Sequence, residues 1–105
     1  MAHDKPAPVI KEPDKAKIIA LITALFPQAK IYLFGSHATG MAARGSDIDL
    51  ALDTGEEIDY VALGELKNVL NETYVPHKID LVDFNSPYLS PEMKDSITRE
   101  RIIWK

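Results

Sequence analysis

Cysteine is absent from these 105 residues. That excludes disulfides, thiolate nucleophiles and thiolate metal sites, and it fits any redox compartment, with an intracellular, cytoplasmic one as the default. Long apolar runs are missing too. The longest, Ile18 to Phe26, is broken by Thr23 and falls far short of the roughly 18 residues that read as a membrane span. The opening Met1-Ala2-His3-Asp4-Lys5-Pro6 lacks the apolar centre of a signal peptide. Lys and Arg never stand side by side, the formal net charge is −4 and the isoelectric point is near 5.3. The basic footprint of bulk nucleic-acid binding is therefore wanting. A soluble chain without membrane attachment is expected. The length excludes two full domains and leaves no room for an enclosing second lobe, so any site is shallow or completed by a partner.

What is present is 46% hydrophobic and 27% charged, the composition of one globular domain. Residues 1–12, with Pro6 and Pro8 and little apolar content, read as a flexible N-terminal arm, and 13–105 as the domain. From Pro13 to Phe26 apolar residues fall on almost every side, which predicts a buried helix stopped by Pro27. Lys30–Phe34 is a short β-branched and aromatic strand ending in Gly35-Ser36, where Ser36 is expected to cap a short helix over 37–41. Residues 46–53 alternate strictly, with Ile48, Leu50 and Leu52 on one face and Asp47, Asp49 and Ala51 on the other. A helix capped by Asp59 follows, with Ala62, Leu63, Leu66, Val69 and Leu70 on one stripe. Residues 77–84 read as a third strand, Ser90-Pro91-Glu92 as the start of a helix to about Arg99, and 102–104 as a last short strand. The resulting class is α/β or α+β, a small mixed sheet flanked by helices.

Asp47 and Asp49 are two positions apart on a strand, so their side chains share one side with Cα atoms about 6.6 Å apart. Strands deplete Asp, and two like charges repel unless a cation lies between them. A divalent cation is the natural neutraliser, because Mg²⁺ takes a few carboxylates, waters and substrate phosphates. Alone, Asp-x-Asp fits a solvated strand end equally well. Gly35-Ser36 adds a place where backbone can approach a ligand, ahead of a helix whose free N–H groups suit a phosphate. Alone, that pair fits an ordinary turn and cap. The combination of Gly-Ser, residues 37–46, Asp-x-Asp and then a strand carrying Asp80 points to a nucleotide. Asp53 and Asp83 read as strand residues turned to solvent, His77 as strand edge and His3 as tail.

The stretch Phe34-Gly35-Ser36-His37-Ala38-Thr39-Gly40, followed by Arg44-Gly45-Ser46-Asp47-Ile48-Asp49-Leu50, resembles the signature of nucleotidyltransferases of the DNA polymerase β superfamily, in particular the minimal nucleotidyltransferase (MNT) group. The resemblance covers about Ile18 to Lys105. It implies a polymerase-β-like fold in which Gly35 and Ser36 hold a triphosphate, Asp47 and Asp49 hold Mg²⁺, and Asp80 is the third acid, as a base toward the acceptor hydroxyl or as a metal ligand. It further implies transfer of a nucleoside monophosphate, AMP from ATP, to a hydroxyl acceptor. Small proteins of this kind often pair with a helical HEPN-type partner as the antitoxin of a toxin–antitoxin module, in a homo- or hetero-oligomer. Relatives commonly carry arginines where this chain has His37 and Thr39. Two readings stand for Arg44, a compensating phosphate contact or a solvated loop residue, and two for His37, a phosphate contact or a turn cap. The missing arginines suit a rival reading, a non-catalytic binding module that neutralises or scaffolds a partner. Retention of three acids suits the enzyme, since a scaffold gains nothing from adjacent carboxylates.

Overall fold

A computed structural model describes residues 10–73 and 75–105. Most of the expected arm, residues 1–9, lies outside them. The elements run α1 (Glu12–Leu25), β1 (Lys30–Phe34), α2 (Ser36–Thr39), β2 (Ile48–Asp53), α3 (Tyr60–Glu72), β3 (Ile79–Asp83), α4 (Pro91–Glu100) and β4 (Ile102–Ile103). The four strands form one sheet in the order β3-β2-β1-β4. β1 pairs antiparallel with β2 and with β4, and β2 pairs parallel with β3. The parallel pair requires a crossover, and α3 supplies it.

Strand alternation sorts the side chains into two unequal layers. On one face Ile31, Leu33, Ile48, Leu50, Leu52, Ile79 and Leu81 pack against Ile18 and Ile22 of α1 and Leu66 and Leu70 of α3. Burial of each such side chain is worth about 1.5–3 kcal/mol, so this layer carries most of the stability. On the other face Tyr32, Phe34 and Ala51 meet Ile97 of α4, with Val82, Phe84 and Leu89 around them. α4 covers only part of that face. The uncovered part, where β2 and β3 begin, belongs to the acids.

Three expectations are corrected here. α1 is half-buried: Ile18 and Ile22 are fully enclosed while Leu25 is 47% exposed, because sheet and α3 cover a single stripe of the helix. Val69 falls outside the buried stripe of α3 for the same reason, with Leu66 and Leu70 inside it. Asp83 does not face solvent. It is buried and accepts the Ile58 N–H at 2.8 Å and the Asn85 N–H at 2.9 Å, thereby tying the approach to α3 to the end of β3. The expected caps do form, Asp59 accepting from Ala62 N and Ser90 from Met93 N, both at 3.1 Å.

Asp53 is likewise engaged. It accepts from the Tyr32 hydroxyl at 3.1 Å, from Asn85 Nδ2 at 2.8 Å and from the Gly55 N–H at 3.0 Å. The Asn85 amide is the main reason its carboxyl is held below the usual carboxylate range, against the opposing effect of burial. A carboxyl depressed in the folded state contributes stability that is present above its unfolded value, about 3.9, and lost as pH falls through the lower folded value. Asn85→Ala should therefore melt below the parent at pH 7, and the gap should shrink as pH drops below about 4. Parallel melting curves across that range check this, and a gap independent of pH would contradict it.

Candidate active site

The end of β1, the short α2 and the starts of β2 and β3 meet on the uncovered face. Asp49 is the second residue of β2. It pairs in register with Phe34 of β1 on one side and with Asp80 of β3 on the other, so Asp49 and Asp80 are lateral neighbours on the same face. Adjacent strands lie about 4.8 Å apart. Asp47 precedes β2 with the same parity; it and Asp49 are half-buried, and Asp80 is exposed. Burial is the main cause that raises the Asp49 carboxyl above its ordinary value, followed by the charges of Asp80 and Asp47, with His37 opposing them. Three acids thus bear on one point, and among the described residues no ion pair offsets them, since Arg99–Asp95 lies on the surface of α4.

The Gly-Ser turn rests directly on this cluster. Gly35 has φ +74°, a backbone region that L side chains rarely adopt, and a Cβ on it would be driven into Asp49 Oδ2 while meeting Asp49 Cγ at 3.2 Å. Only glycine allows the turn to lie against the carboxylate. Its carbonyl accepts the N–H groups of Ala38 and Thr39 at 3.0 and 3.1 Å, which closes α2, and Gly40 ends it in the left-handed conformation. Ser36 is therefore the first residue of α2, and the cap position belongs to Gly35, contrary to the expected Ser36 cap. A helix leaves its first N–H groups without intrahelical partners.

His37 reaches back to the next segment. Its Nε2 lies 3.2 Å from the Ser46 carbonyl, and its ring meets that of His77 edge-on at 5.4 Å. The Ser46 hydroxyl in turn accepts the Ala43 N–H at 2.8 Å, closing a tight turn whose tip carries exposed Arg44 and Gly45 at φ +86°. Of the two readings of His37, the geometry gives a third: a brace between α2 and the residue before Asp47. The structure brings together Gly35, Ser36, Asp47, Asp49 and Asp80 and leaves Arg44 on the loop tip. The sequence assigns His77 only to a strand edge and does not single out Glu100. Glu100, the last residue of α4, accepts the Gly35 N–H at 3.2 Å. Neither was legible locally, since each reaches the site through strand pairing distant in sequence.

The donor set suits a hard cation. Carboxylate oxygens are what Mg²⁺ takes, and the mutual repulsion on Asp49 is what a cation relieves. Among the described residues no three of His, Cys, Asp and Glu make a preformed cage.

Gly35→Ala should damage the site more than the fold. The new methyl group can be accommodated only by moving Asp49 or the turn, while the main core lies on the opposite face. The expected outcome is a folded protein whose melting temperature no longer responds to Mg²⁺ with ATP. An unchanged response would show that turn and carboxylate act separately.

Among the described residues no helix is long and apolar enough to cross a membrane. The family described as Polymerase beta, Nucleotidyltransferase matches residues 16–105. The chain is 33% identical over 75 residues to the "Probable protein adenylyltransferase MntA" of Haemophilus influenzae, a match that covers 71% of this chain and 66% of that protein. To the protein adenylyltransferase MntA of Shewanella oneidensis it is 39% identical over 71 residues, 67% of this chain and 50% of that one. The chain thus spans between half and two thirds of the length of these curated relatives. Among solved structures it is similar to a chain in a complex of tri-AMPylated Shewanella oneidensis HEPN toxin with MNT antitoxin, with TM-score 0.69, 26% identity and coverage of 90% of this chain and 71% of that chain. Fold, signature and match over residues 16–105 agree: the chain belongs to the polymerase β nucleotidyltransferase family, as a minimal nucleotidyltransferase domain.

Proposed function

We propose that the chain is a Mg²⁺-dependent protein adenylyltransferase that moves AMP from ATP to a hydroxyl of a small helical HEPN-type partner, as the antitoxin half of a toxin–antitoxin pair. The observation that carries this reading is the placement of Asp49, which touches the Gly35 turn on one side and stands in register with Asp80 on the other. A phosphate-sized anion on the turn and a cation on the acids would share that junction. The relatives named MntA and the complex of an AMPylated HEPN toxin with its MNT antitoxin support the donor and the partner class.

In this reading Ser36, with its hydroxyl and the N–H groups at the start of α2, holds the triphosphate on Gly35, and Arg44, exposed on the 43–46 turn, is a further phosphate contact. Asp47 and Asp49 hold Mg²⁺. When bound, the cation supplies positive charge that screens the triphosphate and stabilises the charge developing on it. Asp80 is the most exposed of the acids and stands where an acceptor would approach. As the acceptor hydroxyl oxygen forms its bond to the α-phosphorus and the bond to pyrophosphate breaks, Asp80 takes the hydroxyl proton. The shallow, one-sided site leaves the acceptor to be presented by the partner.

Incubation with Mg²⁺, ATP and a HEPN-type partner, followed by intact-mass measurement of both proteins, tests this. Transfer adds the mass of AMP to the partner, and partner binding without added mass would favour the non-catalytic scaffold. Asp80→Asn should lower the transfer rate by roughly 10²–10⁴-fold, the usual worth of general-base assistance, with ATP affinity little changed. Transfer at the parental rate, or loss of ATP binding in parallel, would contradict the role as base.

A further inference from the structure

We infer that Glu100 is a positioning residue of this site: by holding the Gly35 N–H, its carboxylate fixes the shape of the turn on which the nucleotide is proposed to rest. Its bearing on nucleotide depends on the function proposed above, whereas the hold on the turn does not.

β1 and β4 pair antiparallel with Leu33 opposite Ile102. Two steps further along that register, residue 35 comes opposite residue 100. The main-chain ladder does not extend so far, because the Arg101 N–H turns back to the Ile97 carbonyl at 2.9 Å as the last bond of α4. The Gly35 N–H is therefore left without a ladder partner where β1 ends. Glu100 Oε1 takes that place from the side chain, at 3.2 Å.

A carboxylate at this position is costly by itself. Glu100 is the last residue of α4, at the negative end of the helix dipole. Its neighbours do not neutralise it: Arg99 pairs with Asp95 at 3.1 Å, and the Arg101 guanidinium lies over the Tyr32 ring at 4.5 Å. The bond from the Gly35 N–H, at 3.2 Å, gives that carboxylate a donor and offsets part of the cost. Gly35 has no side chain to restrict its peptide planes, so its conformation at φ +74° depends on what grips it from outside. Glu100 grips the N–H, and Asp49 abuts the Cα. The C-terminal α4–β4 segment, far from the acids in sequence, thus forms one wall of the turn.

Glu100→Gln keeps an acceptor oxygen and removes the charge, whereas Glu100→Ala removes both. In the nucleotide-free protein the Gly35 amide proton, followed by NMR hydrogen exchange, should be protected in the parent and in Glu100→Gln and should exchange about tenfold faster or more in Glu100→Ala. In the transfer assay Glu100→Ala should raise KM for ATP about tenfold with kcat little changed. Glu100→Gln should restore KM to the parental value or below it, since a negative charge has left the neighbourhood of the triphosphate. Equal Gly35 exchange in the parent and Glu100→Ala would overturn the hold. A Gln variant as impaired as the Ala variant would also overturn the inference, by showing that the charge rather than the acceptor oxygen matters. If the parent protects Gly35 through Glu100 but binds no ATP, the function proposed above fails while the hold on the turn stands.

Discussion

The contact between Gly35 and the Asp49 carboxylate is the constraint on which the rest of the site depends. It exists because β1 and β2 pair antiparallel with Phe34 opposite Asp49, which delivers the end of one strand onto the second residue of the other. It is tolerated because residue 35 lacks a Cβ and accepts φ +74°. A turn whose N–H groups suit anions and a carboxylate that suits cations thereby stand side by side, while the like charges of Asp80 and Asp47 bear on that same carboxylate. Burial is the main cause that raises the Asp49 carboxyl, and the charges of Asp80 and Asp47 add to it.

The sheet makes room for this by dividing its faces unequally. One face, apolar but for Asp83 at the end of β3, is covered by α1 and α3, and it supplies the hydrophobic stability. The other is covered by α4 only over Tyr32, Phe34 and Ala51. Asp49 and Asp80 stand on that face beyond the edge of α4, and the loops around them are fastened by short polar bonds: His37 to the Ser46 carbonyl, Ser46 to Ala43 N, Glu100 to Gly35 N. The core thus tolerates like charges side by side because it does not have to enclose them.

Much of this was legible in the sequence where the signal is local. The alternation through Ile48, Leu50 and Leu52 placed Asp49 on the opposite face, and Asp59, Ser90 and Pro91 marked their helix starts through capping chemistry that acts within one turn. Pairing across the chain was not legible. For Asp80 the sequence leaves both the sheet side and the neighbour open, since only the parallel register of β2 and β3 sets it beside Asp49. Asp83 was misread as solvated because its partner, the Ile58 N–H, lies 25 residues away. Ser36 was misread as a cap because the unusual backbone of Gly35 shifts the helix start by one residue. The contact of His77 with His37 and that of Glu100 with Gly35 were not legible for the same reason as the Asp83 bond: the partners are brought to them by the fold.

The central claim is that the turn and the acids form one ligand site rather than two neighbouring features. Thermal melts of the parent protein with Mg²⁺ alone, with ATP alone and with both measure this most directly, because a ligand that binds only the folded state raises the melting temperature. The account predicts a rise with both that exceeds the sum of the two separate rises. No rise, or a rise equal to that sum, would contradict it.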